Sequence, residues 1–194
     1  MRWIGLTGKM GAGKDFTFST LKEMTDDVVR VGFADALKAE VTKFLQPADP
    51  GFFWQKPYSD PVRRLLQWWG TDFRRTEDPD YWVNMTERYA RKQEPRIPVF
   101  TDVRFPNEAD MIRRNGGFIV RVMAPPEVRE QRLGMVPPLH ASEIAMDDYR
   151  VDMHITSTVE NNAYEGQVRR MLVEATYGDI DFMAKIRESL DARS

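Results

Sequence analysis

One octapeptide constrains this chain more than any other feature. Gly8-Lys9-Met10-Gly11-Ala12-Gly13-Lys14-Asp15 follows a short apolar run at residues 2–7. It precedes Phe16, Leu21 and Met24, which fall at helical spacing from a start near Gly13. Gly-x4-Gly-Lys between a strand and a helix is the pattern of a phosphate-binding loop. Its glycines let several backbone N–H groups converge on one anion, the helix N-terminus adds partial positive charge, and Lys14 bridges phosphoryl oxygens. Gly8, Lys9, Gly11, Ala12, Gly13, Lys14, Asp15 and Phe16 are the expected nucleotide contacts, with an ordinary glycine turn as the competing explanation. Asp15 stands where Ser or Thr is usual. A carboxylate there either ligates magnesium, directly or through water, or caps the helix while Thr17 supplies the hydroxyl; the sequence leaves both open.

Downstream, apolar strands alternate with helical stripes. Strands are expected at 28–33, 97–103, 118–123 and 151–156. Helices are expected through Ala34, Leu37, Val41, Phe44 and Leu45 with Asp35 as N-cap, through Val62, Leu65, Leu66 and Trp69, and through Tyr81, Met85 and Tyr89. Others run over 107–114, closed by Gly116-Gly117, after Pro125, and through Tyr164, Val168, Met171, Leu172 and Ala175. Such alternation predicts an α/β domain, three layers deep, around a five-stranded, mostly parallel sheet. Two stretches do not fit simple strand–helix units: a helical insert at 34–94 and a weakly periodic segment at 134–150. A sheet with one substrate-binding insert and one lid resembles the organisation of nucleoside monophosphate kinases. The implied arrangement is a single P-loop domain over 1–194, with core 1–33, 95–133 and 151–194, insert about 34–94 and lid about 134–150. Residues 178–194 read either as a short closing helix or as a partner-binding tail.

Composition narrows the chemistry. Among 194 residues, 28 are Lys or Arg and 30 are Asp or Glu, a net charge of −2, which argues against a generally basic nucleic-acid binder. There is no cysteine, so disulfides, thiolate metal sites and cysteine nucleophiles are excluded, and two histidines are too few for a histidine metal cluster. No apolar run approaches the roughly 20 residues of a membrane span, and the N-terminus lacks a signal-peptide pattern. A cytoplasmic protein, without membrane or nucleic-acid partners, is the expectation. Arginine outnumbers lysine by 20 to 8; this suits phosphate recognition but also follows from a GC-rich genome.

Asp102, near the end of the apolar strand 97–103, lies at the carboxyl side of the sheet where ligands bind, and reads as a magnesium-holding carboxylate or as the N-cap of the next helix. Arg104 either reaches a phosphate or pairs with Glu108. Arg63 and Gln67 share one helix face beside the apolar stripe, which alone reads as a solvated face. Trp68, Trp69 and Trp82 read mostly as core, with one free to stack on a base. Arg129 and Arg132 share a face on the helix before the lid. His154 reads as a core or edge residue.

Several stretches taken together resemble one family. They are Gly13-Lys14-Asp15, Phe33-Ala34-Asp35-Ala36-Leu37-Lys38, Arg64-Leu65-Leu66-Gln67-Trp68-Trp69-Gly70-Thr71-Asp72, Tyr81-Trp82-Val83, Thr101-Asp102-Val103-Arg104-Phe105-Pro106-Asn107-Glu108 and His140-Ala141-Ser142-Glu143. They look like the deoxynucleoside monophosphate kinases of tailed bacteriophages, over residues 1 to about 175. The resemblance implies transfer of the γ-phosphoryl of ATP to a deoxynucleoside 5′-monophosphate with magnesium, in the bacterial host's cytoplasm if phage-encoded. It further implies that Asp35, Lys38, Arg63, Gln67, Trp69, Asp72, Arg75, Arg104 and Glu143 serve the monophosphate. Lys14, Arg129, Arg132 and Asp102 would serve the transfer, and Asp15 and Asp102 the metal. His140 is expected as a lid-closing contact. The animal-type phosphomevalonate kinases look similar at Gly13-Lys14-Asp15-Phe16, at a Trp-Gly helix and at an Asp-x-Arg strand end, but the longer stretches at 67–72 and 104–108 favour the nucleotide family. A non-catalytic nucleotide-binding module stands as a third reading, and a homodimer as one oligomeric state left open.

Overall fold

In the computed structural model, residues 2–55, 58–93, 96–135, 144–157 and 161–176 are described. In chain order the elements are β1 (Ile4–Thr7), α1 (Lys14–Met24), β2 (Val28–Val31), α2 (Phe33–Leu45), a 3-10 turn (Phe52–Trp54) and α3 (Asp60–Gln67). There follow a π-helical turn (Trp68–Phe73), α4 (Arg74–Glu77), α5 (Tyr81–Arg91), β3 (Ile97–Val103), α6 (Pro106–Arg114), β4 (Phe118–Met123), α7 (Pro126–Leu133), β5 (Met153–Thr156) and α8 (Asn161–Thr176). The chain separates into two compact units, residues 1–30 with 93–194, and residues 31–92.

The first unit is built on a five-stranded sheet in the order β2-β3-β1-β4-β5. β1 runs parallel to β3 and to β4, and β4 parallel to β5. All four residues of β1 are buried and six of the seven in β3, the continuous apolar signature of a parallel sheet covered on both faces. On one face, Leu21 and Met24 of α1 and Tyr164, Val168, Met171, Leu172 and Ala175 of α8 pack on Ile4, Leu6, Val99, Phe118, Val120 and Ile155. On the other, a Cβ at Gly5 would meet Ile119 and Ile112, so α6 lies close against β1. This is the three-layer α/β architecture expected. α6 starts where Glu108, fully buried, accepts the backbone N–H of Arg104 (2.6 Å) and of Phe105 (3.1 Å), an acidic first-turn cap in favourable dipole geometry.

The second unit is helical. Val41, Phe53, Leu66, Trp69 and Trp82 form its core, with Leu37, Val62, Leu65, Phe73 and Tyr81 packed around them.

Several local expectations are corrected. The strand expected to reach 33 stops at Val31, because Phe33 is buried as the first residue of α2. The residue before α2 is an extended Gly32 with no side-chain cap, so Asp35 is not the N-cap; it sits inside the first turn. α5 forms, but its buried face is Trp82, Val83, Thr86 and Ala90, whereas Met85 and Tyr89 are 40% and 51% exposed. Small and hydroxylated residues at 86 and 90 carry the packing there, which an apolar stripe does not register. The run through Trp69 is not a continuous α-helix but enters the π turn at Trp68, and Trp68 is 52% exposed, stacked on Phe73 rather than in the core. Phe105 precedes α6 in extended conformation, so Asp102 is not its N-cap. No helix among the described residues is long and apolar enough to cross a membrane.

Candidate active site

In the first unit, β1 delivers the chain directly into the glycine loop. Thr7 is in register with Val103 of β3 and Arg121 of β4, so the loop leaves the sheet at its carboxyl end, one residue along from Asp102. Gly8 has φ +140°, and a Cβ there would stand 2.2 Å from the carbonyl oxygen of Val122. Gly13, at the N-terminus of α1, has φ +103°, and a Cβ would press on Ser157. Both positions therefore require glycine for conformation and for space. Lys14 opens α1 and its ammonium donates to the carbonyls of Gly8 (2.6 Å) and Lys9 (3.1 Å), folded across the loop. Lys9 itself reaches both carboxylate oxygens of Asp147, at 2.5 and 2.7 Å.

The first turn of α1 separates the two readings of Asp15. Thr17 is fully buried; its hydroxyl donates to the Gly13 carbonyl at 3.0 Å and lies 2.7 Å from the Tyr164 hydroxyl, away from solvent. Burial pushes the Tyr164 phenol above its ordinary value. Asp15 is exposed in the same turn, so the carboxylate is the more accessible oxygen donor. Phe16 is 55% exposed and stacks on Tyr164, ring centroids 5.2 Å apart.

α7 brings its two arginines to this loop in different ways. Arg132 donates to the carbonyl of Gly11 (3.1 Å), to the hydroxyl of Ser157 (2.9 Å) and to the carbonyl of Ser157 (3.0 Å). Ser157 in turn donates to the carbonyl of Ala12 at 2.6 Å. Arg132 and Ser157 thus hold the loop through the carbonyl oxygens of Gly11 and Ala12, while the Ala12 N–H turns back to the Lys9 carbonyl at 3.1 Å. Arg129 differs: its Nε is buried with no hydrogen-bond partner among the described residues, a donor that costs free energy until something accepts from it.

The segment after 143 is anchored as well. Arg121 donates to the carbonyls of Met146, Asp147 and Tyr149. Tyr149 donates to Asp110 at 2.6 Å, and burial, then this hydrogen bond, pushes its phenol up to about 12. His140, Ser142 and Glu143 lie outside the described residues. His154 is exposed on the edge strand β5.

In the second unit, Lys38 is buried, with Nζ 3.5 Å from Asp35 and 4.9 Å above the ring of Trp54. Arg63 has one buried nitrogen, Nη1, with no hydrogen-bond partner among the described residues. Gln67 ends α3 half-buried; Asp72 is exposed in the π turn; Arg75 donates to the Pro79 carbonyl at 3.2 Å. Trp69 is 8% exposed and its indole N–H donates to Glu40. Arg104 sits between β3 and α6, half-buried, where Glu108 serves its backbone N–H.

Three polar residues were invisible in the sequence. Glu40, Asp147 and Ser157 follow no motif spacing, and only the folded chain sets them against Trp69, Lys9 and the phosphate loop.

No group of three or more His, Asp or Glu side chains that could cage a metal ion occurs among the described residues.

A phosphate loop after the first strand of a parallel sheet, closed by a strand order that places β1 between β3 and β4, defines a P-loop nucleoside triphosphatase fold. Residues 52–133 match the family described as deoxynucleotide monophosphate kinase. A protein of Acanthamoeba polyphaga mimivirus, provisionally described as a deoxynucleotide monophosphate kinase, is 29% identical over 143 residues, covering 63% of this chain and 74% of that one. The resemblance read from the motifs is thereby upheld. Among solved structures, TT1252 from Thermus thermophilus superposes with a TM-score of 0.55 at 18% identity, over 91% of this chain and 98% of that one, a likeness of fold.

Proposed function

We propose that the protein is an ATP-dependent kinase that phosphorylates deoxynucleoside 5′-monophosphates to diphosphates. The observation that carries this reading is the glycine loop at the carboxyl end of the sheet, whose turns at Gly8 and Gly13 admit no side chain and across which Lys14 folds. The family match over 52–133, which spans Arg63, Asp102 and Arg129, supports the choice of acceptor.

The transfer needs positioning and charge neutralisation rather than a covalent intermediate. Gly8 to Gly13 would hold the β- and γ-phosphates on backbone N–H groups while Lys14 exchanges two carbonyls for phosphoryl oxygens. Asp15 and Asp102 would hold magnesium, which neutralises phosphate charge when bound. Arg129 has an unpartnered buried donor suited to the negative charge that develops on the transferring group. Arg63 has the same property for the 5′-phosphate of the acceptor. Asp35, Lys38, Gln67, Asp72 and Arg75 complete the acceptor set proposed in the second unit.

The test is turnover of ATP with magnesium against four deoxynucleoside monophosphates, four ribonucleoside monophosphates and phosphomevalonate. Diphosphate formation from one or more deoxynucleotides is expected. Turnover of phosphomevalonate alone would move the chain to that kinase family, and no turnover with any acceptor would leave a nucleotide-binding module.

A further inference from the structure

Glu40 lies on α2, outside every motif singled out in the sequence, yet it organises the second unit. Its Oε1 accepts from the Trp69 indole at 2.8 Å and from Arg74 Nε at 2.8 Å, and its Oε2 accepts from the Tyr81 hydroxyl. The side chain is 11% exposed. Arg74 is further sandwiched, its guanidinium 4.8 Å from the Phe73 ring and 4.9 Å from the Tyr81 ring. One carboxylate therefore ties the start of the π turn, the residue just after it and the start of α5 to α2. The middle of the turn is held separately, by the Trp82 indole donating to the Gly70 carbonyl at 2.8 Å.

A π turn inserts one residue into a helix and is rarely stable without outside contacts, and such turns concentrate at functional sites. Here it interrupts the run 60–77 that bears Arg63, Gln67, Asp72 and Arg75. Enclosing a carboxylate carries a desolvation cost that an apolar side chain of the same size would avoid. What the carboxylate adds is direction, since three donors must approach its two oxygens at defined angles. Burial pushes the Glu40 carboxyl up, but the hydrogen bonds from Tyr81, Trp69 and Arg74 outweigh it and hold it below the ordinary value, so the charged form is the one the network is built on.

We infer that Glu40 is a positioning residue for the phosphoryl acceptor: through Trp69, Arg74 and Tyr81 it fixes the π turn, and with it the bearing of Arg63, Gln67 and Asp72 towards the monophosphate. This rests on the kinase reading above and adds a residue to it.

The experiment compares the full-length protein with Tyr81→Phe and Glu40→Gln. Tyr81→Phe removes one hydrogen bond to Glu40 and keeps the ring under Arg74; Glu40→Gln removes the charge and one acceptor. For each, the Michaelis constants for the deoxynucleotide and for ATP, the turnover number and the melting temperature are measured. Equilibrium dialysis of the deoxynucleotide without ATP accompanies them. Tyr81→Phe should raise the deoxynucleotide KM about threefold and Glu40→Gln about tenfold, roughly 1.4 kcal/mol, while the ATP KM stays within about twofold. A lowered melting temperature with unchanged deoxynucleotide KM, or equal rises in both KM values, would make Glu40 a structural residue only and overturn the inference. If Glu40→Gln does not fold, Tyr81→Phe decides. If the wild type binds the deoxynucleotide in dialysis without phosphorylating it, the kinase reading falls and the dialysis constants of the variants still decide Glu40. If it binds none, both fall.

Discussion

At Lys14 the physics of one side chain is exposed without the ligand. Its ammonium donates to two loop carbonyls, those of Gly8 and Lys9. On the proposed function, Lys14→Ala would remove charge from where negative charge develops in the transition state and should lower kcat/KM by on the order of 10²–10³, or about 3–4 kcal/mol. The melting temperature should move by only a few degrees, about 1 kcal/mol, because the lost contacts are two hydrogen bonds on a loop. Activity within tenfold of wild type would remove Lys14 from the chemistry. Tyr149 gives a pH signature of a different kind. Burial and the hydrogen bond to Asp110 push its phenol up to about 12 from the ordinary 10.0. The protonated form is thus favoured by folding, so its contribution is fully present below pH 10 and is lost as pH rises from 10 towards 12. Urea unfolding followed across that window should show stability falling with pH, and Tyr149→Phe should flatten the slope; an equal slope in both proteins would contradict the assignment.

Among the elements, those defined by periodicity were legible and those defined by contacts were not. The strand–loop–helix of residues 4–24 was readable because its glycines answer a backbone demand that no other residue meets. α8 was readable because five apolar residues, Tyr164, Val168, Met171, Leu172 and Ala175, share one stripe. α5 was misfaced because Thr86 and Ala90, which pack it, carry little hydrophobic signal. The π turn has no sequence signature: Trp68-Trp69-Gly70 reads as ordinary helix, and only the ties from Glu40 and Trp82 show why the register slips there. Likewise the arginine pair on α7 was legible as a pair but not as two different roles. Arg132 is spent on the carbonyls of Gly11 and Ser157, whereas Arg129 keeps a buried donor unused. On the proposed function, Arg129→Ala should therefore lower kcat tenfold or more with a small change in the ATP KM, because the role proposed for it is in the transition state. Arg132→Ala and Ser157→Ala should both raise the ATP KM several-fold through a slackened loop. Steady-state kinetics on the three variants separate these outcomes, and an unchanged ATP KM in Ser157→Ala would show that the grip on Ala12 is idle.

For the whole molecule, the division into two units with separate cores sets a gradient of stability. Among the described residues, the main core cluster of the sheet unit has fifteen buried members across strands and helices, that of the helical unit five. Regions with fewer buried apolar contacts open more readily. Hydrogen exchange should therefore find the amides of α2 and α5 at least about tenfold less protected than those of β1, β3 and β4; uniform protection would mean that the two units open together. The sheet itself has a further property. Its outer strands, β2 and β5, are four residues each, whereas β3 between them runs seven. A short rim leaves few main-chain N–H and carbonyl groups for a foreign strand to zip onto, so the sheet is a poor template for amyloid-like stacking. The adhesive surface is instead made of side chains, with Phe44, Phe52, Trp54 and Trp68 all at least 44% exposed in the helical unit. Clumping in a concentrated solution would start there, and should yield to agents that mask aromatic rings rather than to those that break strand pairing.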